Sequence, residues 1–238
     1  MPNGESVAVV GEFNDWNETS HVCTRDDFAK FHLTIPALPG GKSPIPHNSI
    51  VKLLITTKDG QKLWRMSPWT KYAVQNVEVS MDYQPRYGTQ RMVVTSGDMN
   101  DQESQKAFRI YEDYVGISSP EAEVASYTYF ADNLLPRIKD LGYNCVELMV
   151  VMEHAYYGSF GYHVTSFFAA SSCYSTPDDF KYLVDKAHSL RLYAILDIVH
   201  SHAARNVNDG LNQFDGIDHC YFHGGSMVSM DMFMDGSF

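Results

Sequence analysis

The sequence predicts two segments of different fold class, a small β-sandwich over residues 1–85 and a parallel α/β sheet over residues 106–238. Short apolar runs separated by turn residues fill the first segment, whereas strand-like runs alternate with amphipathic helices in the second. Residues 86–105 between them are polar and contain Gly88 and Gly97, which is typical of a linker.

Three short runs define the β-sandwich. Residues 7–10 are continuously apolar, residues 28–35 alternate between apolar and polar side chains, and residues 51–57 form the third run. Asp59-Gly60 follows as a hairpin signal, because glycine accepts the positive φ of a tight turn. Short strands at this spacing favour two packed antiparallel sheets.

The second segment alternates between strands and helices. Strands are predicted at residues 108–115, 145–151 and 193–199, and helices at residues 130–141 and after Thr176. Such alternation produces a parallel sheet with right-handed crossovers, either open or closed into a barrel.

Local signals set the helix ends. Pro136 predicts a kink or a restart because proline has no amide hydrogen, and Gly142 lies where a C-terminal cap belongs. Thr176 is a suitable N-cap, and Pro177 suits the first helical position.

Composition narrows the function. The chain has 238 residues, and 44% of them are apolar, which excludes a disordered chain. Its net charge is −11, which argues against a nucleic-acid partner because the phosphate backbone is also negative. Neutral ligands such as sugars are compatible with this composition.

With no apolar run of 18 residues and no signal-peptide pattern at the start, no membrane contact is expected. The four cysteines lack CxxC spacing, which favours reduced thiols in the cytoplasm.

Two other residue pairs have a suggestive spacing but are not expected to form functional sites. His200 and His202 are one residue apart at a strand end, but no third ligand is predicted nearby, so no metal site is expected. Glu153 and His154 are adjacent, and adjacent side chains point apart, so they are not expected to act as an acid–base pair.

Two groups of motifs carry a resemblance to a known family. In the second segment they lie at residues 109–112, 115–119, 135–144, 152–157, 159–162, 165–172, 197–202, 209–212, 214–216 and 221–223. These motifs resemble those of eukaryotic-type 1,4-α-glucan (glycogen or starch) branching enzymes of the α-amylase superfamily. In the first segment, residues 11–17 and 67–69 resemble the family 48 carbohydrate-binding module that precedes the catalytic barrel. The resemblance covers nearly the whole chain, in order.

The resemblance implies a fold and an activity. The fold is a carbohydrate-binding β-sandwich followed by the first part of an α-amylase-type (β/α)8 barrel, with about three of its β/α strands. The activity is cleavage of an α-1,4-glucan (glycogen, amylose or starch) and transfer of the cut chain to a 6-hydroxyl, forming an α-1,6 branch without any cofactor. Retention at the anomeric carbon requires two carboxyl groups roughly 5 Å apart.

In this family the nucleophilic Asp follows the fourth barrel strand and the acid/base Glu follows the fifth. Residues 106–238 have room for at most about four β/α units of roughly 30 residues. We therefore expect a fragment truncated at both ends, with no catalytic residue of its own and no activity alone. New α-1,6 linkages formed from amylose by the purified chain would contradict this expectation.

The resemblance also assigns a −1 subsite. Asp197 matches the aspartate that holds sugar hydroxyls, and it follows a predicted strand, where barrel site residues emerge. His202 matches the histidine that hydrogen-bonds the same sugar. Tyr162 matches the aromatic ring that stacks on the C–H face of the sugar.

Further glucan contacts at Trp16, His154 and Tyr157 are weighed against core packing. Trp16 is a candidate platform, although a small sandwich also uses tryptophan in its core, and Trp64 and Trp69 are weaker candidates. For His154 and Tyr157, core packing is an equal alternative.

The chain departs from the family pattern at several positions. Cys173 and Ser175 stand where the family usually has Arg and Gly, Arg191 replaces a helix-ending Gly, and Glu147 replaces a Gln. After His223 the agreement decays.

Two alternatives to a branching enzyme stay open: a catalytically dead glucan-binding or scaffold protein, and a debranching or amylase relative. Residues 153–157 and 209–212 favour branching.

Overall fold

The computed structural model describes residues 1–75, 83–87 (backbone only) and 107–222. The chain forms two compact units. The sandwich unit comprises Met1–Thr89, Val164–Phe168 and Ser201–Phe238, and the sheet unit comprises Gln90–His163 and Ala169–His200. Most of the predicted linker at 86–105, and the tail that follows His223, lie outside the described residues.

The first seven strands belong to the sandwich unit. They are β1 (Gly4–Gly11), β2 (Thr24–Arg25), β3 (Phe31–His32), β4 (Ser49–Thr57), β5 (Lys62–Arg65), β6 (Ala73–Gln75) and β7 (Tyr83–Tyr87). One antiparallel sheet has the order β1-β4-β7-β6, with β5 also paired to β4, and β2 pairs with β3. Between β4 and β5, Gly60 has a φ of 84° and its amide donates to the Thr57 carbonyl, which confirms the predicted hairpin.

The alternating run 28–35 contributes only the two-residue strand β3. The reason is a tight turn just before it. The Asp26 carboxylate accepts hydrogen bonds from the amides of Phe28 and Lys30, and Ala29 between them has a φ of 56°. This local hydrogen bonding by aspartate competes with an extended conformation.

Arg65, at the end of β5, is only 5% exposed and binds a later segment of the same unit. Its guanidinium donates to the carbonyls of Phe214 (3.1 Å) and Gln213 (3.3 Å), and also to the carbonyl of Trp64 (3.1 Å). Burial lowers the pKa of Arg65, and the nearby Asp209 carboxylate raises it. Three backbone acceptors thus compensate for the buried charge.

The sheet unit is built on three parallel strands. Along the chain come β8 (Ile110–Asp113), α1 (Tyr127–Tyr129), a π-helical turn (Phe130–Leu134), α2 (Leu135–Asp140), β9 (Cys145–Leu148), β10 (Met152–His154), β11 (Val164–Ala170), α3 (Pro177–Ser189) and β12 (Tyr193–Leu196). Residues 164–168 of β11 belong to the sandwich unit. The parallel sheet has the order β12-β9-β8. It confirms the predicted α/β alternation, whereas β10 and β11 were not predicted.

The helix ends follow the sequence signals. The π-helical turn comes just before Pro136, where the missing amide hydrogen interrupts regular pairing. Gly142 has a φ of 88°, and its amide donates to the Lys139 carbonyl. At α3, the Thr176 hydroxyl accepts from the Asp179 amide at 3.2 Å, and Pro177 is the first helical residue.

Strand β9 packs its buried side chains against these helices, whereas the side chains of β12 are half-buried or exposed. Val146 and Leu148 of β9 share a core with Phe130, Leu135 and Leu183, all fully buried. Both strands end earlier than predicted, at residues 148 and 196. Asp197 is therefore the first residue after β12.

Candidate functional site

Tyr162 and Asp197 meet beyond the carboxyl end of the parallel sheet. The Tyr162 hydroxyl donates to Asp197 Oδ2 at 2.7 Å. The backbone of Asp197 is held by its own amide, which donates to the carbonyl of Leu148, the last residue of β9. The structure thus places these two predicted −1 subsite residues together at the edge of the sheet where barrel active sites lie.

Gly161 determines where Tyr162 is held. Its φ is 88°, and a Cβ at this position would lie 2.3 Å from the Val150 carbonyl oxygen. A side chain at residue 161 would therefore force the two backbone segments apart. Close approach of the Tyr162 loop to the segment after β9 depends on this glycine.

Carboxylates surround the Tyr162 hydroxyl. The hydrogen bond to Asp197 raises the pKa of Tyr162 to about 12, with further contributions from burial and from the charges of Asp197, Glu112 and Glu147. Glu112 and Glu147 face each other across β8 and β9 in the parallel register. The hydroxyl therefore stays protonated and donates, while the carboxylates are acceptors for neutral hydroxyl groups and repel anions.

His202, the third predicted −1 subsite residue, belongs to the sandwich unit. Its Nδ1 is 3.1 Å from the Ser201 hydroxyl, with the donor set by the tautomer. The structure thus brings together Tyr162 and Asp197, and it describes His202 within the other unit.

Trp16 forms an exposed aromatic pair with Trp64. Their ring centroids are 6.0 Å apart at an interplanar angle of 52°, and the residues are 37% and 38% exposed. Trp16 sits in the left-handed region, with a φ of 58°, at the end of a turn. The sequence gives Trp64 less weight than Trp16, and it does not reveal that these two residues, 48 positions apart, form a pair.

A shallow groove of about 270 Å³ adjoins this pair. Leu54 lines the groove and is the cross-strand partner of Trp64 in the β4–β5 register, so the two side chains lie on one face of the sheet. The Lys62–Glu18 ion pair also lines it. The groove therefore has aliphatic and polar side chains, and Trp64 lies on the same face of the sheet as Leu54.

His154 and Tyr157 lie in or against the core of the sheet unit. His154 is fully buried, its Nδ1 donates to the Met152 carbonyl at 2.8 Å, and burial lowers its pKa. Tyr157 packs against Tyr114 with ring centroids 5.9 Å apart. These positions agree with core packing, the alternative weighed for both residues.

Glu153 is a fully buried carboxyl that sequence reasoning did not assign to the core. It accepts hydrogen bonds from the amides of His154 (3.1 Å) and Ser172 (2.8 Å). Burial raises its pKa to about 8, against the opposing effect of these bonds. The carboxyl thus ties β10 to the turn that leads into α3.

Two departures from the family pattern fall at unusual backbone positions. Ser175 has a φ of 118° and Arg191 a φ of 56°. Glycine is the residue that adopts such conformations without steric cost, which agrees with the glycine that the resemblance implies at both positions.

Within residues 1–75, 83–87 and 107–222, no cluster of three or more His, Cys, Asp or Glu side chains is arranged to hold a metal ion. Over the same described ranges, no helix has the length and apolar character needed to cross a membrane. All four cysteines are free thiols.

Comparison with known families matches two parts of the chain. Residues 1–70 match carbohydrate-binding module 48 (isoamylase N-terminal domain), and residues 132–215 match the alpha amylase catalytic domain.

Solved structures agree with these matches at the level of the fold. A putative alpha amylase from Salmonella typhimurium superposes with a TM-score of 0.60 at 20% identity, covering 86% of this chain and 31% of that one. The catalytic module of the glycogen-degrading pneumococcal virulence factor SpuA superposes with a TM-score of 0.65 at 17% identity, covering 86% and 35%.

Relatives of much higher sequence identity carry the name 1,4-alpha-glucan-branching enzyme. Those of Aspergillus oryzae, Equus caballus and Saccharomyces cerevisiae are 50%, 47% and 46% identical, over 94%, 97% and 93% of this chain. The chain spans about a third of the length of these curated relatives, 32–33% of each. By sequence, this chain is similar to the 1,4-alpha-glucan-branching enzymes, and its two matched parts are similar to a carbohydrate-binding module 48 and to part of an alpha-amylase catalytic domain.

Proposed function

We propose that this chain is part of an enzyme that cleaves an α-1,4-glucan and transfers the cut segment to a 6-hydroxyl, forming an α-1,6 branch. The observation that carries the proposal is the Tyr162–Asp197 hydrogen bond beyond the carboxyl end of the parallel sheet. The names of the relatives support the reaction. Tyr162, Asp197 and His202 are proposed for the −1 subsite, and no nucleophile or acid/base is assigned to this chain.

The chemistry of the two joined residues suits a neutral sugar. The Tyr162 ring offers an apolar face for the C–H face of a glucose unit. Its hydrogen bond fixes one oxygen of Asp197, and the carboxylate keeps acceptor capacity for sugar hydroxyls. Acceptance by a charged group strengthens such hydrogen bonds.

The sandwich unit is proposed as a second contact with the same α-glucan polymer, whether glycogen, amylose or starch. The Trp16–Trp64 pair is accessible and rigidly placed by the β5 register and the turn at Trp16. Stacking on such rings costs little conformational entropy. The four free cysteines suit a reducing compartment, and we place the protein in the cytoplasm.

The test is calorimetric binding of maltoheptaose to the purified chain and to Tyr162→Phe. The variant keeps the ring and loses the hydrogen bond to Asp197, so we expect about 1 kcal/mol weaker binding. Tyr182→Phe is the matched control, because Tyr182 also donates to a carboxylate, Asp132 at 2.6 Å, at the exposed surface of α3. Equal binding by both variants and the unchanged chain would refute the Tyr162 assignment.

A glucan-binding protein without catalysis is the second candidate, favoured by the accessible Trp16–Trp64 pair. Incubation of the chain with amylose, followed by NMR detection of α-1,6 linkages, tests this second candidate. Linkages formed by the chain would refute the second candidate, and binding without linkages would leave glucan recognition as the property of this chain.

A further inference from the structure

A second exposed aromatic pair lies in the sandwich unit, formed by Trp69, five residues after Trp64, and Phe168. Trp69 follows β5, and Phe168 lies in β11; their ring centroids are 5.0 Å apart at an interplanar angle of 27°, a stacked arrangement. Trp69 is 71% exposed and Phe168 is 52% exposed. Among the described tryptophans, Trp69 is the most exposed.

The stack leaves one face of the indole open. Phe168 covers one face of Trp69, so most of its large exposed surface is contributed by the opposite face and the ring edges. An open, flat aromatic face of this kind is what the C–H face of a sugar ring binds.

The backbone at both ends of the pair is well anchored. The Trp69 amide donates to the Ser67 hydroxyl at 3.3 Å, and the Thr70 amide donates to the Ser67 carbonyl at 3.0 Å. On β11, Ser166, two residues before Phe168, is buried, which anchors the backbone of the strand. An anchored backbone leaves less conformational entropy to be lost on binding, which favours a ligand-binding role for the pair.

We propose that Trp69 and Phe168 form a second glucan-binding platform, with Trp69 stacking on an α-1,4-linked glucose unit. The inference rests on the proposed function, since it takes the same polymer as ligand. Trp69 lies inside the carbohydrate-binding module 48 match, which ends at residue 70. The net charge of −11 favours a neutral ligand over an anionic one. The Ser67 hydroxyl, which accepts from the Trp69 amide, still has a proton that it can donate to a hydroxyl-bearing ligand.

The experiment measures calorimetric affinity of the 238-residue chain for maltoheptaose, comparing Trp69→Ala, Trp69→Phe and Trp64→Ala. Trp69→Ala should weaken binding about three- to tenfold, whereas Trp69→Phe, which keeps an aromatic face, should retain most of the affinity. Tyr182→Ala, which truncates an exposed aromatic side chain on α3, is the control and should bind as the unchanged chain does. Thermal melts verify that each variant is folded.

The outcomes are distinguishable. Unchanged affinity in Trp69→Ala together with weaker binding in Trp64→Ala overturns the second platform and leaves the proposed function standing. No maltoheptaose binding by the unchanged chain overturns both. If Trp69→Ala abolishes a dimer seen by size-exclusion chromatography without changing glucan affinity, the pair is a protein contact and the proposal is overturned.

Discussion

Each compact unit buries an ionisable side chain that binds the backbone of a distant segment, and these two side chains, Arg65 and Glu153, are stabilised in opposite ways. Arg65 in the sandwich unit is 5% exposed and donates to three backbone carbonyls. Glu153 in the sheet unit is fully buried and accepts from two backbone amides. Both side chains join segments that are distant in sequence, so each is a tether within its own unit.

The Arg65 guanidinium and the Glu153 carboxyl group differ in whether their protonation state changes with pH near neutrality. A guanidinium does not release its proton under ordinary conditions, so the fold must supply acceptors for a permanent charge. A carboxyl group escapes the cost of burial by taking up a proton, and burial indeed raises the pKa of Glu153 to about 8. The Arg65 tether should therefore be independent of pH near neutrality, whereas the Glu153 tether should depend on pH.

The largest effect is expected from Arg65→Ala, which breaks the tether of the sandwich unit. Three carbonyls lose their hydrogen-bond donor, and the Asp209 carboxylate loses its counter-charge. We therefore expect the free energy of unfolding to fall by about 3 kcal/mol. All three tryptophans lie in this unit, so urea denaturation followed by tryptophan fluorescence reports on it. Arg65→Lys keeps the charge but not the fork of donors and should lose less. A change below about 0.5 kcal/mol in Arg65→Ala would contradict the importance of the tether.

Glu153→Gln tests the pH dependence of the second tether. The folded carboxyl binds its proton up to a pKa of about 8, whereas an unfolded glutamate releases it at its ordinary, much lower pKa. In this window the folded state holds more protons, so the stabilisation present at low pH is lost as the pH rises through about 8.

We expect the thermal midpoint of the sheet unit, followed by near-ultraviolet circular dichroism of its tyrosines, to fall across this window in the unchanged chain. The fall should be smaller in Glu153→Gln, because the amide does not titrate. Glu121→Gln, at an exposed loop position, is the control and should keep the dependence of the unchanged chain. Identical pH profiles for Glu153→Gln and the unchanged chain would show that the carboxyl is not the titrating group.

The smallest effect is expected from Ser175→Gly, close to the amide of Ser172 that holds Glu153. Relief of the backbone strain at a φ of 118° should raise stability, partly offset by the lost hydrogen bond from the Ser175 hydroxyl to Asp179 at 2.5 Å. Glycine also raises the conformational entropy of the unfolded chain, so we expect a small net gain of about 0.5 kcal/mol in thermal unfolding. Ser189→Gly, at an ordinary position in the last turn of α3, should instead reduce stability. A loss in both variants would contradict the strain argument.

Local signals account for the parts of the fold that were predicted well. The caps at Thr176 and Gly142, the interruption at Pro136 and the Asp59-Gly60 hairpin each depend on a residue and its near neighbours. The short β3 was overestimated, since alternation in the sequence did not reveal that the Asp26 side chain would form a turn.

The candidate site was predictable in part. The motifs identified Tyr162 and Asp197, and the structure joins them by a hydrogen bond. Pairing of Trp64 with Trp16, and the stack of Phe168 on Trp69, were not predictable, because each pair is distant in sequence and depends on strand register and loop position. Burial of Glu153 was hidden for the same reason.

The sequence by itself determined the two fold classes, the helix caps, the acidic charge and the residue types suited to a neutral sugar. Those properties follow from composition, periodicity and neighbours a few residues apart. Only the tertiary structure decided which aromatic faces stay open, which carboxyl becomes buried enough to hold its proton, and which strand ends bring Tyr162 to Asp197. These outcomes depend on contacts between distant residues, and packing rather than local preference sets them.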